Sequence, residues 1–185
     1  MNEVIIALAK ASILLSLHEP HSFDLSKALE AYPELKKNAA VFVTLNQKET
    51  HTLRGCIGTL EAYQPLYKDI IKNAQYAALK DSRFKPLTAS EFKDIEIEVS
   101  VLSETKILNY TNLSDLKNKI TPYHDGVVLK FKDKQATYLP QVWEQLPTFH
   151  TFFESLCMKA GLPSNCLEQH PQILIYHVTE YKETP

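Results

Sequence analysis

A cysteine and an arginine stand two residues apart in the segment Leu53-Arg54-Gly55-Cys56-Ile57-Gly58, which also holds two of the chain's four glycines. An arginine beside a cysteine favours the thiolate, the reactive form of that side chain. Cys56 is therefore a candidate nucleophile, or a point of covalent or soft-metal attachment. Arg54 would either favour this thiolate or hold an anionic group.

The two glycines indicate that the backbone of this segment has a special task. Glycine permits left-handed conformations and the close approach of another group, so Gly55 and Gly58 are candidate ligand-binding positions. In a regular strand, Arg54, Cys56 and Gly58 would share one face. The glycines could instead mark a β-bulge that re-aims Cys56. Cys56 could also be a buried structural cysteine, because free cysteine is among the most buried residue types.

A second candidate segment is the loop Asp81-Ser82-Arg83-Phe84, which follows a predicted helix and precedes Pro86. Its two opposite charges and its aromatic ring suit the rim of a binding site, since loops often carry function. Asp81, Arg83 and Phe84 are therefore candidate ligand-binding residues, and Asp81 is also an acid–base candidate. The alternative is a local Asp81–Arg83 arrangement that only stabilises the turn.

Three further side chains could contribute chemistry. Glu98 shares a strand face with Glu96, and paired carboxylates can transfer protons or hold a metal. Such a face is otherwise simply solvated, or one of the two carboxylates pairs with Arg54 across the sheet. His124, in a turn, could act as a general base or a ligand, or could merely be exposed. Gln141 could face a cleft.

Composition excludes several classes of protein. The chain has 185 residues, 44% of them apolar, and a net charge of -2. General nucleic-acid binding needs a basic patch, which such a charge balance does not favour. No apolar run is long enough to span a bilayer, and the first residues lack the basic start of a signal peptide. The hexapeptide also lacks the lysine of a P-loop and the third glycine of a dinucleotide fingerprint.

The three cysteines and seven histidines suggest neither a disulfide framework nor a structural metal site. Cys56, Cys157 and Cys166 are odd in number and widely spaced, so a disulfide scaffold is not expected, and a reducing cytoplasm is the simplest location. The histidines show no zinc-binding spacing, so no metal is assigned. The sequence indicates no particular cofactor.

The elements that must position these residues alternate between helices and hairpins. The pattern predicts helices over residues 3–17, 24–32, 65–80, 113–120 and 148–160, and strands over 39–45, 52–60, 95–101, 126–131, 136–139 and 173–178. Thr88-Ala89-Ser90-Glu91 has the form of a capping box, and Trp143 is expected to be a core anchor. The hairpins imply an α+β fold with a mixed, mainly antiparallel sheet flanked by helices. Because no linker is visible, residues 1–185 are predicted to form a single domain.

The hexapeptide also resembles the hallmark of the AMMECR family, called protein A of the AmmeMemoRadiSam system in prokaryotes. The resemblance continues, in order along residues 5–180, through four further motifs: Phe42-Val43-Thr44-Leu45, Asp81-Ser82-Arg83-Phe84 with Pro86-Leu87, residues 95–102, and Leu139-Pro140-Gln141-Val142-Trp143. One departure is Ala39-Ala40, where the family often has glycine before the first of these strands.

This resemblance implies a compact α+β fold with a larger and a smaller lobe packed together, in a cytoplasmic protein. It also implies a Memo-like protein and a radical S-adenosylmethionine protein as partners. It implies no established reaction. Two functions are therefore expected as alternatives: an enzyme or accessory subunit with a cleft centred on Cys56 and Arg54, which would share a modification pathway with those partners, or a non-catalytic protein–protein interaction module in which the hexapeptide is structural.

Overall fold

The computed structural model describes residues 1–183. Its helices are α1 (Asn2–Ser16), α2 (Leu25–Ala31), α3 (Leu66–Leu79), α4 (Ala89–Phe92), α5 (Leu113–Lys119), α6 (Val142–Gln145) and α7 (Phe149–Lys159). Its strands are β1 (Ala40–Gln47), β2 (Leu53–Gly58), β3 (Ile95–Leu102), β4 (Lys106–Ile107), β5 (Gly126–Phe131), β6 (Lys134–Tyr138), β7 (Gln172–Tyr176) and β8 (Val178–Lys182). None of the helices within these residues is long and apolar enough to cross a membrane.

The chain divides into two compact units, each with its own four-stranded sheet. The first unit comprises residues 1–102 and the residues from Thr179 onward, and its sheet has the strand order β2-β1-β3-β8. The second comprises residues 103–178, and its sheet has the order β4-β7-β5-β6. That both units belong to a single domain stays a prediction.

The core of the first unit lies on one face of its sheet. Alternate residues of β3, including Ile97 and Val99, are fully buried, as is Val43 of β1. They join one apolar cluster with residues of α1 and α3, such as Ile5 and Ile70. Because side chains alternate along a strand, the residues between them, among which are Thr44 and Glu98, lie on the opposite face of the sheet.

The second unit has a separate aromatic core. Trp143 and Phe152 are fully buried and stacked, with their ring centroids 3.7 Å apart. The Nε1 of Trp143 donates a hydrogen bond to the carbonyl oxygen of Asp125, at 3.1 Å. The prediction that Trp143 is a core anchor is therefore confirmed, and its polar atom is satisfied as a buried indole requires.

The fold class predicted from the sequence is confirmed, with a difference in the sheet. The strand pairings β1–β2, β1–β3, β4–β7, β5–β6 and β5–β7 are all antiparallel. The strands form two four-stranded sheets, and each contains one edge strand that the pattern did not predict, β8 in the first and β4 in the second. Both are short and largely exposed, so they lack the alternation by which strands are recognised.

The sequence argued against a disulfide scaffold, and the structure contains one disulfide that the sequence did not predict. Cys157 and Cys166 form a disulfide in the second unit, with their Cα atoms 5.8 Å apart. After α7, Gly161 adopts a left-handed backbone conformation with φ of 71°, as is common for the glycine that follows a helix. The chain then returns through a short 3-10 helix (Cys166–Gln169). Spacing alone could not show this return, because a spacing of nine residues does not fix a distance in space.

Candidate functional site

The candidate hexapeptide is the strand β2, at the edge of the first sheet. Its pairing with β1 shifts at one point, since Leu45 lies opposite Gly55 whereas Asn46 lies opposite Leu53. Arg54 is the extra residue, so the β-bulge that the sequence suggested as an alternative is present. The bulge therefore interrupts the alternation of side chains between the two faces of the sheet, so this alternation does not place Arg54 on the same face as Cys56.

The side chain of Arg54 is buried and bound to its own chain. One nitrogen, Nη2, donates to the carbonyl oxygen of Lys85 at 2.9 Å and lies 3.3 Å from a carboxylate oxygen of Glu91. The guanidinium also lies over the ring of Phe84, 5.7 Å from its centroid. The alternative in which Glu96 or Glu98 pairs with Arg54 is wrong, because the bulge directs Arg54 towards Glu91.

Glu91 is held by two elements at once. It completes a capping box with Thr88 at the start of α4, as the sequence predicted. Hydrogen bonds from the backbone and hydroxyl of Thr88, together with the charge of Arg54, lower the pKa of Glu91. The Arg54–Glu91 contact therefore connects the edge strand β2 to α4.

Asp81 and Arg83 also bind β2, directly beside Cys56. Asp81 Oδ2 accepts a hydrogen bond from the backbone nitrogen of Cys56 at 2.9 Å, and Nη2 of Arg83 donates to the carbonyl oxygen of Cys56 at 3.3 Å. The two side chains also form an ion pair, with Nη2 and Oδ2 2.7 Å apart. The loop therefore occupies the outward hydrogen-bonding groups of an edge strand, which otherwise invite pairing with another chain.

The local Asp81–Arg83 arrangement that the sequence left open is thus present. Hydrogen bonds from the side chain of Arg83 hold the pKa of Asp81 well below its usual range, and the bond from the Cys56 nitrogen adds to this effect. Asp81 is a carboxylate at neutral pH, so it does not donate a proton in this state.

The thiol of Cys56 lies on the face of the sheet opposite the apolar core and is half-buried. Its Sγ accepts a hydrogen bond from Oγ1 of Thr44 at 3.4 Å. Burial raises the pKa of the Cys56 thiol, although the bond from Thr44 and the charge of Arg83 act to lower it. At neutral pH the thiol is therefore protonated, and the neighbouring arginines do not produce a resting thiolate.

Glu98 lies on the same face as Cys56. Thr44 is paired with Cys56 on one side and with Glu98 on the other. The Glu98 carboxylate lies 3.2 Å from Nζ of Lys182 and accepts a bond from the hydroxyl of Ser100 at 3.5 Å. Two strand spacings, roughly 9–10 Å, separate the backbones of Cys56 and Glu98.

The space left by the two glycines is filled by this chain. A Cβ at Gly55 would collide with the carbonyl oxygen of Ala77 in α3, and a Cβ at Gly58 would collide with the ring of Phe42. Close approach of another group is therefore the reason for glycine at both positions. Their role in binding a ligand stays a prediction.

The remaining two candidates belong to the second unit. Gln141 immediately precedes α6 and is half-buried. His124 is exposed, and its Nδ1 lies 3.4 Å from Oδ1 of Asp125. The same oxygen lies 3.2 Å from Nε2 of His177. Sequence reasoning missed Asp125 and His177, because no spacing rule connects residues that are 52 positions apart.

Comparison with other proteins agrees with this fold and with the resemblance to the family. The AMMECR1 family model matches residues 6–181. A protein of Methanopyrus kandleri is 34% identical over 170 residues, which cover 87% of this chain and 77% of the relative. A protein of Thermococcus onnurineus is 38% identical over 142 residues, or 72% of this chain and 67% of the relative. A protein of Thermoplasma acidophilum is 36% identical over 137 residues, which cover 74% of this chain and 66% of the relative.

A solved structure shows the same fold. The crystal structure of an uncharacterized protein from Pyrococcus horikoshii is similar with a TM-score of 0.86 and 30% sequence identity. The similarity covers 97% of this chain and 89% of the other. Since the family model spans nearly the whole chain, the chain belongs to the AMMECR1 family.

Proposed function

We propose that this protein is an enzyme, or an accessory subunit of one, whose chemical group is the thiol of Cys56. The observation that carries the proposal is the position of Sγ, half-exposed and bound by the hydroxyl of Thr44 at 3.4 Å. A hydroxyl that donates to sulfur stabilises the thiolate more than the thiol. The site is therefore arranged to support a thiolate that forms only during the reaction.

Formation of this thiolate requires a proton acceptor, because burial keeps the pKa of Cys56 raised at rest. Glu98 is the carboxylate on the same face, and the roughly 9–10 Å between the two backbones admits substrate atoms or a water molecule between the groups. In the proposed step the thiol proton passes to Glu98 or to a basic atom of the substrate, while sulfur adds to a carbonyl carbon and the π-electron pair of that carbonyl moves onto its oxygen. The charge of Arg83, whose side chain is about half-exposed, acts on Cys56, and Lys182 lies 3.2 Å from Glu98.

The expected pathway follows from the resemblance to the family alone. It is a modification of a protein or a small molecule that is shared with a Memo-like protein and a radical S-adenosylmethionine protein. We extend the proposal to these partners and to a cytoplasmic location.

A second candidate function is a non-catalytic interaction module. It is favoured by one observation, which is that the charged residues of the site pair within the chain. Arg54 pairs with Glu91, and Arg83 pairs with Asp81. In that case the hexapeptide would be structural and partners would bind elsewhere.

Cys56→Ser separates the two functions. Within the described residues Cys56 is the free cysteine, since Cys157 and Cys166 are bonded. Native protein prepared without reductant should therefore titrate one thiol per chain, so that no other cysteine needs to be replaced. We expect a folded Cys56→Ser variant to fail to replace the natural protein in cells that depend on it.

The matched control is Cys56→Ala, which should fail in the same way while keeping the melting temperature within a few degrees. Full complementation by a folded Cys56→Ser variant would contradict the thiol proposal and support the interaction module. If both variants unfold, alkylation of the native thiol decides: an unreactive Cys56 would contradict the proposal.

A further inference from the structure

We propose that His124, Asp125 and His177 form a binding site for a divalent transition-metal ion, with zinc as the representative ion. All three belong to the second unit, and their ligand atoms lie within 4.8 Å of one another. Two imidazoles and one carboxylate are a donor set that zinc and divalent iron bind in proteins.

Two of the three distances between ligand atoms fit a shared ion, and all three lie within 4.8 Å. Oδ1 of Asp125 lies 3.4 Å from Nδ1 of His124 and 3.2 Å from Nε2 of His177. As hydrogen bonds, the first is longer than the usual range of about 2.7–3.2 Å and the second lies at its upper end. Ligand atoms bound tetrahedrally at about 2.0–2.1 Å from one ion lie about 3.3–3.4 Å apart. Both measured separations are close to that value.

The fold holds the carboxylate in place. Only 3% of the Asp125 surface is exposed. Its Oδ2 accepts a hydrogen bond from the backbone nitrogen of Thr121 at 2.8 Å. Its carbonyl oxygen is bound by Trp143. The second carboxylate oxygen and the backbone are thus both fixed, which leaves Oδ1 directed at the two histidines. Such supporting bonds are the usual surroundings of a metal ligand.

Strand pairing explains why residues so distant in sequence meet. Gly126 at the start of β5 lies opposite Tyr176 at the end of β7. Asp125 and His177 are the next residues outward on the two strands. Their proximity therefore follows from the register of the second sheet and does not depend on a flexible side chain reaching across.

The donor set supplies both lone pairs and negative charge. The rings of His124 and His177 are packed with their centroids 4.3 Å apart. Each ring can direct a nitrogen lone pair at one ion, and the buried Asp125 carboxylate offsets part of the charge of that ion.

The neighbouring surface offers room beyond the three ligands. A cavity of about 290 Å³ borders His177 and is lined by Ser103, Glu104, Lys106, Ile175 and Tyr176. Sites with three protein ligands keep a fourth position for water or a substrate atom. The site we propose is therefore open, unlike a structural zinc site with four protein ligands.

Calorimetric titration of the metal-free full chain with zinc chloride tests the proposal. We expect one zinc ion per chain, with affinity weakened by about 100-fold or more in His177→Ala and in His124→Ala, because loss of a ligand costs at least as much as loss of a supporting bond. Both histidines are exposed, so both variants should keep the native circular dichroism spectrum.

Two controls show whether the binding is specific. Removal of the exposed His21, as His21→Ala, should leave the affinity unchanged, and so should Cys56→Ser, which removes the free thiol. Absence of stoichiometric binding would overturn the proposal. Binding that survives the double replacement of His124 and His177 would overturn it equally.

Discussion

Asp81 and Asp125 are both almost completely buried, with 4% of each side chain exposed, yet they face different kinds of partner. Asp81 is bound by a guanidinium and by backbone N–H groups of Cys56 and Arg83. These donors stay in place at any ordinary pH, since arginine does not lose its proton. Asp125 has one backbone donor, and its other oxygen faces two histidines.

Asp81 is therefore a structural carboxylate, whereas Asp125 is the carboxylate that we propose as a metal ligand. Asp81 is saturated by its own chain, and it fastens a loop to the edge strand that carries Cys56. Asp125 shares one oxygen between two exposed imidazoles, and imidazole nitrogens are common metal ligands. The loop with Asp81, which stands out in the sequence, thus holds a carboxylate that its own chain already binds. The segment with Asp125, which does not stand out, holds the carboxylate that we propose binds a metal ion.

The largest expected effect is on stability at Asp81. Asp81→Ala should lower the free energy of unfolding by about 3 kcal/mol, because it leaves buried donors without an acceptor. Asp125→Ala should cost about 1–2 kcal/mol in the metal-free protein, since it deprives one backbone nitrogen of its acceptor while the histidines turn to water. Urea unfolding of both variants measures the difference. Equal losses would remove the contrast between the two aspartates.

Zinc should stabilise the molecule through the site at Asp125 and not through Asp81. At a concentration 100 times its dissociation constant, a ligand that binds only the folded state adds about 2.7 kcal/mol. We expect this gain in the natural chain and in Asp81→Asn, and its loss in His177→Ala. Melting curves with and without zinc provide the measurement, and a gain that persists in His177→Ala would place the ion elsewhere.

Acid should weaken the contribution of Asp81 in a defined range. Because its bonds to Arg83 lower the pKa of Asp81 in the folded state, the contribution is complete above the unfolded value of about 3.9 and declines as pH falls towards the folded value. The stability difference between the natural chain and Asp81→Asn should be constant from about pH 7 to pH 5, and should shrink by about 1.2 kcal/mol by pH 3. A difference that grows with acid would have the wrong sign.

The smallest effect concerns the thiol beside Asp81. Thr44→Val removes the hydroxyl that donates to Sγ, so alkylation of Cys56 at pH 7 should slow by about 3–10-fold as its pKa rises further. The exposed Thr50, replaced as Thr50→Val, serves as the matched control and should react normally. An unchanged rate in Thr44→Val would mean that the hydroxyl does not support the thiolate.

Much of the fold was determined by local sequence patterns. The alternation in residues 95–101 predicts β3, and Thr88 with Glu91 predicts the capping box at α4. Both are confirmed because a strand with one buried face, or a helix cap, depends on residues within a few positions of each other. The hexapeptide and the four further motifs likewise led to the family, which the family model confirms over residues 6–181.

Only the tertiary structure decided what the polar residues contact. The bulge directs Arg54 towards Glu91, and helix α7 with the turn after it brings Cys157 to Cys166. The pairing of β5 with β7 places Asp125 beside His177. These contacts join residues 9 to 52 positions apart, and such distances depend on strand register and on turns. The sequence by itself therefore determined the elements and the family. Packing decided that Asp81 is bound by Arg83 and that Asp125 faces two histidines.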